Sequence, residues 1–229
     1  MTHRWNSGLT AFHFKGANMS STLFSTTAVL AIMLLHVAFA YAGDSPEEIK
    51  KRIGAGDPVA GKEKSALCQG CHGEFGISAS ADYPKLSGQY AVYIQKQIHD
   101  FQSGSRTDPV MSSMAATVTD NQDLLDISAY FASQKQMKGD AAVINKAGKE
   151  RFLSDNGCVN CHGPNGKGAG PGNPDAPVIG GQHKAYLIKQ LKDFASGSRK
   201  NESSGMMAMI AGLMSDEEIE EVASYVSGL

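Results

Sequence analysis

All four cysteines of the chain fall in two pentapeptides ninety residues apart, Cys68-Gln69-Gly70-Cys71-His72 and Cys158-Val159-Asn160-Cys161-His162. Each is a C-x-x-C-H, the attachment signature of a c-type haem. The paired thiols can add across the porphyrin vinyl groups, and the adjoining histidine is then held close enough to the iron to ligate it. Cys68, Cys71, Cys158 and Cys161 are therefore the expected covalent anchors of two haem c groups, with His72 and His162 as proximal iron ligands. Three other uses of a C-x-x-C pair fit less well. A thioredoxin-like redox pair needs a βαβ context, and no β-branched alternating run precedes either motif. A zinc ribbon separates its two pairs by roughly 15–20 residues, far less than the gap here. Disulfides closed within each motif would be strained two-residue loops, and they leave the repeated histidine unexplained.

The elements that must hold these groups are themselves repeated. Ala60-Gly61-Lys62 matches Ala147-Gly148-Lys149, and Pro84-Lys85-Leu86-Ser87-Gly88-Gln89 matches Pro177-Val178-Ile179-Gly180-Gly181-Gln182. A longer match runs from Lys96-Gln97 through Asp100-Phe101 to Gly104-Ser105-Arg106, against Lys189-Gln190 through Asp193-Phe194 to Gly197-Ser198-Arg199. This is an internal duplication of a unit of about eighty residues, a size that by itself supports only a marginal core. A covalently held porphyrin would fill the centre of each unit.

The local patterns are helical and no strand is predicted. Gln89 to Ser103 places Tyr93, Gln97, Ile98 and Phe101 at spacings of three and four, and ends at Gly104, a favourable C-cap. Thr119-Asp120 leads into a helix bearing Leu124, Ile127, Ser128 and Phe131; Ser215-Asp216 leads into one bearing Ile219, Val222, Ala223 and Val226. A short helix with Gly61 or Gly148 precedes each motif. Gly163 to Gly172 reads as a loop, and Gln134 to Val143 as a polar linker.

The first forty-two residues have the form of a secretory signal peptide. Arg4 and Lys15 supply positive charge, residues 28–35 are apolar, and Ala40-Tyr41-Ala42 is a small-x-small cleavage site. Translation starting at Met19 would give a leader of more usual length. Export agrees with the cysteines, since haem is attached covalently outside the bacterial cytoplasmic membrane. Removing the leader's two basic residues from the 21 leaves 19 against 23 acidic ones, a formal charge of −4. Nucleic-acid binding is disfavoured, and a partner with a basic or neutral face is expected.

A chain of this length with a leader, two C-x-x-C-H units, G-Q-x-x-x-Y-[IL] helices, a D-F-x-S-G-S-R close and a terminal tyrosine helix resembles the cytochrome c4 family over essentially its whole mature length. The resemblance implies an all-α fold of two tandem class I cytochrome c domains, at residues 43–133 and 144–229 about the linker at 134–143. It implies histidine and methionine on each iron, and single electrons relayed in the periplasm towards a terminal oxidase or another reductase. The expected partners are redox protein donors and acceptors, a membrane-bound oxidase or a peripheral membrane contact among them, with no small-molecule substrate. For the distal ligand, Met111 and Met207 stand at identical offsets from the Thr119-Asp120 and Ser215-Asp216 caps. Counting back from Tyr130 and Tyr225 instead pairs Met111 with Met206. Met114 and Met209 read as apolar filler beside the haem. A ligating histidine donates its second ring N–H to a carbonyl, and the family assigns that carbonyl to a proline, here Pro84 and Pro177; loop rigidity is the plain alternative. Arg106 and Arg199, with Tyr93 and Tyr186, are candidates for the haem propionates or for the interface between units, against a solvated default. His99 and His183 have no histidine counterpart in the other unit and read as surface residues. The rival function is a dihaem redox enzyme, a peroxidase or sulfur-compound dehydrogenase, with one open iron. Two distinct potentials are expected, in no fixed order.

Overall fold

In a computed structural model, residues 45–139, 145–168, 170 and 175–229 are described. The expected signal peptide, the end of the linker and part of the glycine-rich loop lie outside them. Each half opens with a short helix whose start is written in the sequence. Asp57 caps α2 (Pro58–Lys64) by accepting from Val59 N and Ala60 N, and Asn145 caps α7 (Lys146–Phe152) by accepting from Gly148 N. The motif histidines close α3 (Ala66–His72) and α8 (Val159–His162). Then come α4 (Ala91–Ser103) and α9 (Lys184–Ala195), the short α5 (Pro109–Ala115) and α10 (Met206–Gly212), and last α6 (Asn121–Ser133) and α11 (Asp216–Ser227). The two halves thus run through the same elements in the same order. Every regular element among the described residues is helical.

One helix precedes this pattern and has no partner in the second half. Ser45 and Glu48 form a reciprocal capping box at the start of α1 (Pro46–Ile53), with Pro46 in the first turn and Lys50, Lys51 and Arg52 in the last. Buried Arg52 donates from Nε to Ala132 O at 2.7 Å and from Nη2 to Gln134 O at 3.1 Å. It therefore satisfies carbonyls left open at the end of α6. No periodicity in the sequence signals this pairing across eighty residues.

Helix crossings close each half. A Cβ on Gly61 would stand 1.9 Å from Asp126 O, and one on Gly148 2.1 Å from Glu221 O, with Tyr130 and Tyr225 the next neighbours. Only glycine permits that approach. Behind the crossings, Ile94, Ile98, Phe101, Leu124, Ile127 and Phe131 form one core, and Phe152, Leu187, Val222 and Val226 the second. A third cluster of Tyr90, Met137 and Val178 joins sequence from both halves. Met137 belongs to the segment expected to be a polar linker, yet it is buried, its N–H donates to Ser87 O at 3.0 Å and its carbonyl accepts from Lys167 Nζ at 3.0 Å. The described part of that segment, through Gly139, is packed chain rather than a tether. The sequence signalled polarity there, but a single long apolar side chain among polar neighbours suffices to anchor it.

At the α2–α6 crossing, Asp126 accepts from Asp57 N at 2.8 Å, Gln122 Nε2 at 2.8 Å and Lys64 Nζ at 2.6 Å. Lys64 and these donors pull its carboxyl from the usual carboxylate range to about 2. A depressed folded pKa contributes stability that is complete above the unfolded value and is lost as pH falls through the folded one. Replacing Asp126 by Asn should cost about 1–2 kcal/mol at pH 7, from the weakening of hydrogen bonds to a charged group. The gap to wild type should shrink between about pH 4 and pH 2, read by denaturant melts of the haem-loaded protein. Gly61→Ala and Gly148→Ala should each cost about 2–3 kcal/mol, the upper end for overpacking. Gly212→Ala, whose Cβ meets nothing within 4 Å, should be neutral or gain roughly 0.5–1 kcal/mol as a helix substitution.

Candidate haem sites

Each motif histidine is followed by a glycine with positive φ, Gly73 at 83° and Gly163 at 71°. The chain reverses there at once, and a Cβ on Gly73 would meet Ile77 O at 2.5 Å. The reversal brings the loop back past the imidazole. His72 Nδ1 lies 2.8 Å from Pro84 O, and His162 Nδ1 lies 3.0 Å from Pro177 O. A carbonyl can only accept, so Nδ1 carries the proton and Nε2 keeps its lone pair. No described residue bonds Nε2 of either ring. Burial lowers both imidazole pKa values, and the proline carbonyls oppose it only in part. Both rings are therefore neutral near pH 7, the form that can donate to a metal.

His72 and His162 both line one cavity of about 610 Å³ that runs through both halves. Cys68, His72, Ile94, Phe101, Met111 and Phe131 line it in the first half, and Cys158, Cys161, His162, Leu187, Met207 and Val222 in the second. None of the four cysteines is in a disulfide; before any thioether forms, burial pushes the thiols of Cys68 and Cys158 up. Asp108 caps α5 by accepting from Val110 N and Met111 N, each at 3.0 Å, which fixes the turn that carries Met111. Met206 and Met207 both reach the cavity; Met207 is half-buried, whereas Met206 is 42% exposed. Neither Met114 nor Met209 lines it, and Met209 is 56% exposed. The expectation that these two fill space beside the haem does not hold, because the helix turns them off the cavity face.

Between the halves Arg199 is buried and Arg106 half-buried, and both are bonded to protein. Arg106 donates to Gln97 Oε1 at 2.7 Å in its own half, and to Tyr186 Oη at 3.1 Å and Gln190 Oε1 at 2.6 Å in the other. Arg199 mirrors it, donating to Gln190 Oε1 at 2.7 Å, Tyr93 Oη at 3.2 Å and Gln97 Oε1 at 3.2 Å. Asn201 adds bonds to Gln97 Oε1 and Asp100 Oδ2. Burial would raise the Tyr93 hydroxyl pKa, but the guanidiniums of Arg199 and Arg106 outweigh it and pull it below the ordinary value. Neither arginine has a carboxylate within ion-pair distance among the described residues. The glutamines and Asn201 escaped the sequence reading; the repeated Lys-Gln ahead of Asp-Phe was the available signal. His183 differs from expectation too. Ser78 Oγ donates to Tyr83 O at 2.6 Å, so His183 Nε2, 2.8 Å from that hydroxyl, donates to it across the two halves. His99 is exposed as read.

These features fit haem. There are two Nε2 atoms that no described residue engages, thiols next to them in the chain, an apolar cavity, and beside it one buried and one half-buried guanidinium whose hydrogen-bond partners are neutral.

A cytochrome c family profile matches residues 146–229. Cytochrome c4 of Pseudomonas aeruginosa is 40% identical over 184 residues, covering 76% of this chain and 90% of that protein. The crystal structure of reduced recombinant cytochrome c4 from Pseudomonas stutzeri superposes with a TM-score of 0.69 at 38% identity, covering 76% of this chain and all of that one. A thiosulfate dehydrogenase electron acceptor of Stutzerimonas stutzeri is 34% identical, over 71% of this chain and 78% of its own length. The all-α arrangement is that of two tandem class I cytochrome c domains, and the cofactor is two covalently attached haem c groups. The chain belongs to the cytochrome c4 family of dihaem electron-transfer proteins.

Proposed function

We propose that this chain relays single electrons in the periplasm between redox proteins, towards a terminal oxidase or another reductase, after its first 42 residues are removed as a signal peptide. The observation that carries the reading is one cavity lined in each half by a motif histidine and a methionine, His72 with Met111 and His162 with Met207. When bound, each haem iron supplies a centre that holds one electron more or fewer. Cys68 and Cys71 anchor the first group and Cys158 and Cys161 the second. His72 and Met111 would hold the first iron, and His162 and Met207 the second; the half-burial of Met207 against the exposure of Met206 supports that choice. An iron held by two side chains in each half would offer no place for a substrate, which favours a carrier over a dihaem enzyme. Pro84 and Pro177 hold the imidazole tautomers. Arg106 and Arg199 receive the propionates, since two guanidiniums that line the cavity and have only neutral hydrogen-bond partners call for anions. The halves divide at residues 43–133 and 144–229.

A relative named as the electron acceptor of a thiosulfate dehydrogenase supports a donor of the dehydrogenase kind. Partners with a basic or neutral docking face suit the mature charge of −4. No described helix is long and apolar enough to cross a membrane.

Two haems per chain, measured by pyridine haemochrome and intact mass, and no carbon monoxide bound by the reduced protein are the expected results. Stoichiometric carbon monoxide binding at one haem would instead select the enzyme reading. Met207→Ala should open one iron to carbon monoxide and abolish the charge-transfer band of ferric methionine ligation at that haem, whereas Met206→Ala should do neither. The reverse result would move the ligand to Met206.

A further inference from the structure

The Gly-Gln pair that recurs after each proline loop has no role in the account so far. Gln89 and Gln182 are 3% and 5% exposed, and neither lies in a helix. Each reaches across to the other half. Gln182 Oε1 accepts from Lys85 N at 2.9 Å while its Nε2 donates to Lys85 O at 2.9 Å. Gln89 Oε1 accepts from Val178 N at 2.9 Å while its Nε2 donates to Val178 O at 2.8 Å. Both amides are oriented unambiguously, because a backbone N–H requires the oxygen and a backbone carbonyl requires the nitrogen. Each Oε1 also accepts from the next residue's N–H, Tyr90 or His183, at 3.0 Å.

Lys85 and Val178 are the residues after Pro84 and Pro177. The N–H that each glutamine receives therefore belongs to the same peptide plane as the carbonyl that receives the histidine. One continuous chain runs from Gln182 Oε1 to Lys85 N–H, through the peptide to Pro84 O, and on to His72 Nδ1–H. Its counterpart runs from Gln89 Oε1 to Val178 N–H, Pro177 O and His162 Nδ1–H. Hydrogen bonds in series polarise one another, and a peptide whose N–H is engaged presents a more negative carbonyl. A stronger acceptor at Nδ1 makes the imidazole a more basic ligand, and a more basic ligand favours the ferric iron.

We propose that Gln89 and Gln182 are crossed positioning residues: the glutamine of each half orients and tunes the proximal histidine of the other. This rests on the assignment of His72 and His162 as iron ligands. The first half thus contributes to the potential of the second haem, and the second half to that of the first, without touching either iron. The two glutamines also lock the halves together at the loops where a relative shift would tilt both imidazoles.

The test is a redox titration of the full, haem-loaded chain carrying Gln89→Met or Gln182→Met. The two steps are first assigned with Met111→His and Met207→His, each of which exchanges sulfur for imidazole on one haem. Gln89→Met should raise the potential of the haem at Cys158 and Cys161, by about threefold in the ferric-to-ferrous ratio, or ~28 mV at 59 mV per tenfold for one electron. It should leave the haem at Cys68 and Cys71 in place; Gln182→Met should do the converse. Gln89→Glu keeps the acceptor and adds charge, so it should move the same second step downward, and it serves if the methionine variant fails to accumulate. The Nδ1–H proton resonance of His162, and not that of His72, should shift in both Gln89 variants. A shift confined to the glutamine's own half, equal shifts of both haems, or no shift of the distant one would overturn the inference. Wild-type protein with fewer than two haems would instead strike at the functional assignment and leave the crossed pairing to be judged separately.

Discussion

A histidine whose Nδ1 is bound to a backbone carbonyl has one nitrogen left to offer, and everything else in this molecule is arranged around that remaining lone pair. The bond from His72 to Pro84 and its twin from His162 to Pro177 require the chain to double back within a dozen or so residues of the motif. That requirement explains the left-handed glycines directly after both histidines. It also explains why the proline loops, irregular in themselves, are so heavily tied down. A loop that merely drifted by an ångström would turn the ring and swing its unengaged nitrogen with it.

The tie is not made within one half. The side-chain amides that hold the proline loops come from the opposite repeat, as do two of the bonds to each interface guanidinium. Duplication therefore produced more than two copies of a carrier side by side. Each half completes its partner's polar framework, and the apolar cluster of Tyr90, Met137 and Val178 seals the seam. Units this small have little core of their own, so a shared interior also offsets the marginal burial available to each. Hollow halves leaning on one another can keep a large cavity open for a cofactor where a solitary unit of the same size would be under-packed.

Much of the local architecture was legible. Helix starts at Asp120 and Ser215 and the stop at Gly104 are short-range patterns, and the physics that produces them acts within a few residues. Errors fell where a side chain answers to something far away. The helix after Gln89 begins two residues late because that glutamine's amide is engaged on Val178. His183 reads as surface by comparison with its counterpart Tyr90, yet it donates to Ser78 from the other repeat. Met209 was taken as filler because methionines are common near haem, whereas its position on α10 turns it to solvent.

The order of residues alone specified the chemistry: thiols and imidazole at a fixed spacing can do little else but hold a porphyrin, and their recurrence sets the count at two. Which methionine turns inward, which amide holds which loop, and that the arginines face each other across the seam depended on how two similar surfaces meet. Those contacts join residues about a hundred positions apart. Their free energy comes from mutual burial and paired hydrogen bonds, which no stretch of chain expresses until both partners are folded against each other.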